Sequence, residues 1–176
     1  MISVELKEIW KMSVRALRKS VLSTIIFLML GACATNIETK QSLNVGLREK
    51  LEITNVVVNA LPEARAKPTL LTNLRSAVLV ELRTINAYGQ IGTLELLVTK
   101  ARMISQGKRS LFGALAGSDL LYVTATIKDE KTQAIVAQFE IKGDYNPGGL
   151  GMFVNPKRYT AKRVAEALVK EIYRIQ

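Results

Sequence analysis

Beyond residue 51, apolar and polar positions alternate with two different periods. Residues 53–60 (ITNVVVNA) are rich in β-branched side chains, which predicts a buried strand. A connection with two prolines follows over 61–68. Thr69 then stands at an N-cap position, and Leu71, Leu74, Val78, Leu82 and Ile85 form one apolar stripe at helical spacing. That helix closes at Asn86 and Gly89. Three strands are predicted next. Residues 93–104 put Leu94, Leu96 and Val98 on one face. Residues 120–128 set Leu121, Val123, Ala125 and Ile127 against Tyr122, Thr124, Thr126 and Lys128. Residues 134–142 set Ile135, Ala137, Phe139 and Ile141 against Val136, Gln138, Glu140 and Lys142. A turn at 129–132 makes the last two a hairpin. Residues 143–156 hold four glycines and two prolines and read as irregular. A final helix over 156–175 buries Ala161, Val164, Ala165, Leu168 and Ile172, and turns Lys157, Arg158, Lys162, Arg163, Lys170 and Arg174 outward.

The order β-α-β-β-β-α predicts an α+β fold over 51–176: a two-layer sandwich of about four strands with two helices on one face. The polar face of each strand implies that one side of the sheet is left open. Residues 33–50 are polar and weakly periodic, and read as a lipidated N-terminus and flexible tether with a short helix near 43–51.

Ahead of the tether, residues 21–34 (VLSTIIFLMLGACA) form an apolar run of 14 residues. A spanning helix needs roughly 20 apolar residues, so this run is a signal-peptide core, with Arg15, Arg18 and Lys19 on its cytoplasmic side. It ends Leu30-Gly31-Ala32-Cys33, which resembles the lipobox of bacterial lipoproteins. The resemblance implies cleavage after Ala32, acylation of the Cys33 thiol, and residues 1–32 as leader. Ala rather than Asp at position 34 implies the outer membrane by the enterobacterial sorting pattern. Met12 offers an alternative start that shortens the long segment before the apolar run.

Composition narrows the chemistry. With one Cys and no His, the chain has no intramolecular disulfide, no Cys/His zinc site and no imidazole catalysis. The formal charge is +10; five basic and two acidic residues fall in 1–32, leaving a net +7 beyond the leader. The basic residues are scattered rather than in blocks, so they read as a solvated surface, and no nucleic acid, metal or cofactor is expected. Lys108 and Arg109 adjoin the small-residue stretch Gly113-Ala114-Leu115-Ala116-Gly117, but the glycines lead into a strand and the phosphate-loop pattern is missing. The segment reads as a flexible apolar loop, an edge contact or a surface packed against a partner. Tyr145, Met152 and Phe153 among the later glycines form a second candidate binding loop. Ser110 and Ser118 near Lys108 are the weak basis for a Ser–Lys hydrolase. Asp119 and Asp129 bracket one strand, too far apart for a carboxylate pair.

Residues 108–132 resemble a segment of small Gram-negative envelope lipoproteins of uncharacterised function. Arg109, Gly113, Gly117, Asp129 and Thr132 carry that likeness, and Gln133 departs from it where glycine is usual. The resemblance implies an α+β assembly-type domain and brings no catalytic residues. The expectation is a lipid-anchored, non-enzymatic binding or assembly factor on the periplasmic side, its partners the membrane and an envelope protein. The alternative is a binder of an anionic glycolipid or cell-wall ligand through Lys108, Arg109 and the basic helix.

Overall fold

A computed structural model describes residues 34–146 and 155–174, which belong to the unit Cys33–Gln176. Leu30, Gly31, Ala32, Cys33, Met152 and Phe153 lie outside the described residues. Elements run β1 (Ala34–Gln41), α1 (Val45–Arg48), β2 (Ile53–Ala60), α2 (Pro68–Thr84), β3 (Tyr88–Arg102), α3 (Gln106–Phe112), β4 (Asp119–Asp129), β5 (Ile135–Tyr145) and α4 (Pro156–Tyr173). The sheet order is β1-β5-β4-β3-β2. Neighbours are antiparallel except β2 and β3, which α2 joins as a parallel crossover.

The α+β class stands, with five strands among the described residues where about four were predicted. The added strand is β1, in a segment expected to be tether. It has little apolar pattern of its own, and only Ile37 packs against the core. What orders it is the edge of β5, against which it pairs from Ala34↔Asp144 to Gln41↔Gln138. On the outer face Lys40 Nζ bridges Glu38 (2.6 Å) and Glu140 (3.7 Å).

The core lies between the sheet and α2 plus α4. Leu94, Leu96, Val98, Leu121, Val123, Ala125, Ile127, Ala137, Phe139 and Ile141 are all buried, as the strand alternation predicts. Ile135, at the start of β5, is exposed instead. Helix α4 buries the stripe expected of it. Helix α2 starts earlier than expected, with Pro68 in its first turn and Lys67 at the N-cap position, and it buries Leu70, Leu74, Val78 and Leu82. Thr69 is therefore inside the helix, and Leu71 and Ile85 flank the buried stripe. On the open face Tyr122, Thr124, Thr126, Gln138 and Glu140 are half-buried.

Two corrections concern glycine-rich stretches. Strand β5 continues through Gly143 to Tyr145, where irregular chain was expected. A Cβ on Gly143 would come within 2.7 Å of Val164 Cγ2, so glycine here is what lets α4 press onto the strand. Residues 106–112, expected as loop, form α3, capped by Ser105, whose Oγ accepts from Lys108 N (3.4 Å).

Candidate functional site

One end of the sheet gathers most of the candidate chemistry. Ala34, Asp144, Leu120 and Arg102 sit in one row across β1, β5, β4 and β3. The β3–β4 connection leaves from this end, and α2 and α4 begin near it.

Arg109 points inward from α3 and is fully buried with Asp119, the first residue of β4. Arg109 Nη2 lies 2.8 Å from Asp119 Oδ2, both side chains wholly enclosed, and Nη1 reaches the Gly117 carbonyl at 3.5 Å. Asp119 Oδ1 accepts from Ile104 N at 2.6 Å. The pair ties both ends of the connection to the sheet, and a cation neutralised in this way has no contact with a soluble ligand. Arg109 is therefore not a surface ligand group, contrary to the sequence reading. Lys108 beside it is exposed and belongs to a different surface.

Tyr145 is likewise corrected. It is buried at the end of β5 and stacks on Tyr159 of α4, centroids 4.1 Å apart, so it packs the core edge. Ser110 Oγ donates to the Gln106 carbonyl (3.1 Å), an intrahelical bond that does not engage Lys108. Among the described residues no group of three His, Cys, Asp or Glu could hold a metal ion.

The residues that do converge were not singled out from sequence as a group. A cleft of about 520 Å³ opens between the starts of α2 and α4 and the chain leaving β3. Arg65, Lys67, Arg102 and Lys157 line it, and among the described residues no carboxylate does. Leu70, Ala101, Met103 and Ile104 give it an apolar wall, with Ser105, Gln106 and Asn155 completing the lining. Lys157 Nζ is held by Thr69 Oγ1 at 3.4 Å. The first turns of α2 and α4 add the partial positive charge of two long helices. Like charges without counter-charge repel, and an anionic group seated among them relieves that repulsion. Only Lys157 had been marked in the sequence, as one of the basic residues of the last helix.

No family model matches this chain, and no curated protein matches it in sequence. A solved structure does share its fold. A PelC variant crystallised as a dodecamer, from Paraburkholderia phytofirmans, aligns with TM-score 0.51 at 14% identity, covering 80% of this chain and 98% of PelC. Looser alignments reach a candidate lipoprotein from Caulobacter crescentus CB15 (TM-score 0.44, 15% identity, 74% of this chain and 94% of that one). Another reaches a Xanthomonas campestris protein of the DUF330 family (TM-score 0.45, 12% identity, 75% and 90%). At these identities the PelC alignment establishes a common fold. No helix among the described residues is long and apolar enough to cross a membrane.

Proposed function

We propose that this chain is a lipid-anchored protein of the bacterial cell envelope that acts by binding, as an accessory or assembly factor on the periplasmic side of the outer membrane. The observation that carries the reading is the run Leu30-Gly31-Ala32-Cys33, which resembles a lipobox and ends immediately ahead of the first strand of the domain. The fold shared with PelC, a protein crystallised as a dodecamer, supports a role in which copies or partners assemble. The outer edge of β1, which pairs with no strand among the described residues, is one surface on which such assembly can build, by strand addition.

Intact mass of the protein purified from its own membranes tests the anchor. A mass of residues 33–176 plus acyl chains, lost in Cys33→Ala, supports it; an unacylated mass beginning elsewhere removes it. Recovery of an envelope partner, or of a multimer of this chain, in mild detergent tests the accessory role, and a monomer without partners counts against it.

A second reading rests on the cleft. Four cations, with no carboxylate among the described lining residues, suit an anionic glycolipid or cell-wall fragment. The expected outcome is retention on immobilised lipopolysaccharide that falls about tenfold in Arg102→Ala/Lys157→Ala, the loss of two charge-assisted contacts. Equal retention of the variant would rule the cleft out.

A further inference from the structure

We infer that the end of the sheet carrying Ala34 lies flat against an anionic leaflet, with Leu111, Phe112 and Leu115 inserted into the interface. The inference rests on the lipid-anchored reading and adds an orientation to it. Three of the seven large apolar side chains exposed among the described residues fall within five positions, Leu111 (80%), Phe112 (60%) and Leu115 (91%). The other four, Val45, Val80, Tyr88 and Ile135, are on other elements. Helix α3 is thus inverted: its arginine is buried and its leucine and phenylalanine face out. Lys108, Leu111 and Phe112 are spaced three and four apart, so they share the outer side of the turn. An apolar patch beside a lysine is the composition of an interfacial anchor.

Where the chain enters the fold decides what covers this patch. Ala34 already pairs with Asp144, so no free segment separates it from the sheet. Cys33 is one peptide unit earlier, about 3.8 Å between α-carbons. Along the row Ala34–Asp144–Leu120–Arg102, three strand spacings put Arg102 about 14 Å from Ala34. Acyl chains on Cys33 therefore hold this end, with the α3 tip, at the bilayer surface. Charge agrees with that placement: Arg65, Lys67, Arg102 and Lys157 line the cleft at the same end, and anionic headgroups attract them.

The only tryptophan, Trp10, lies in the leader, so a tryptophan at the tip is a unique reporter in the cleaved protein. Leu115 is almost fully exposed, so Leu115→Trp in a Trp10→Phe background leaves the fold intact. The full protein would be reconstituted in vesicles of about 70:30 phosphatidylethanolamine and phosphatidylglycerol, with and without brominated acyl chains. The expected result is blue-shifted emission that brominated lipid quenches by about half or more. Lys67→Glu/Arg102→Glu is expected to weaken the quenching about twofold. Intact mass on the same sample reads acylation separately. Acylated protein with water-like emission overturns the orientation and leaves the anchor standing. Quenching without acylation supports the surface and removes the anchor. A blue shift without quenching marks a protein contact at the tip and overturns the inference.

Discussion

Lys108 and Arg109 show how differently two neighbouring cations behave on a short helix: Lys108 is exposed, and Arg109 is buried against Asp119. Taking a guanidinium and a carboxylate out of water is offset only while both are present, so removing one leaves the other charged and enclosed. Arg109→Met is expected to lower unfolding stability by about 3–5 kcal/mol in urea titration, and Arg109→Met/Asp119→Leu to regain most of it. A second residue-scale device closes the β4–β5 hairpin. Asp129 Oδ1 accepts from Thr132 N (2.7 Å), Thr132 Oγ1 (2.8 Å) and Lys131 N (3.1 Å). The Thr132 bonds, with help from Lys131, hold the Asp129 carboxyl below its ordinary value. A depressed carboxylate contributes its stability above the unfolded-state value and loses it as pH falls through the folded-state value. The melting-temperature gap between the native protein and Asp129→Ala is therefore expected to be full at about pH 6 and to narrow at about pH 2. Four residues after Asp129, Gln133 adopts φ 58°, where glycine is the unstrained choice. The position that departs from the lipoprotein pattern is thus the one that needs glycine, and Gln133→Gly is expected to stabilise the domain by about 0.5–1 kcal/mol in the same titration.

Elements were legible in the sequence to the degree that they bury an apolar face with a fixed period. Strands β3, β4 and β5 repeat at two and helices α2 and α4 at about 3.6, and both signals are local. Strand β1 has no such signal because a partner about a hundred residues away supplies its order through backbone hydrogen bonds. Helix α3 hid for the opposite reason: its buried residue is charged and its exposed ones are apolar, so the period reads backwards. The basic cleft could not be read either, since its four cations come from three stretches that only the parallel crossover and the last helix bring together. Gly143, taken as a mark of irregular chain, is instead where helix and strand touch. Gly143→Ala is expected to cost about 1–3 kcal/mol, because Val164 or the helix must shift, and thermal unfolding of the variant measures it.

For the molecule as a whole, β1 both covers the edge of β5 and carries the chain toward Cys33. Removing residues 34–41 is expected to expose β5 as a free edge and to promote aggregation, seen as rising light scattering at constant concentration. A flexible tether over 34–50 would let the domain wander about 20–25 Å from the proposed lipid. With 34–41 paired in β1 and 45–48 coiled in α1, an anchor on Cys33 would not allow that freedom. On the proposed anchor the protein would pivot without roaming, and its strands would rise from the bilayer like posts. A ligand or partner must then come to the surface to be met, and neighbouring copies would share one height and one heading. Their encounters become a problem in two dimensions, in which even a weak edge-to-edge contact meets a high effective concentration.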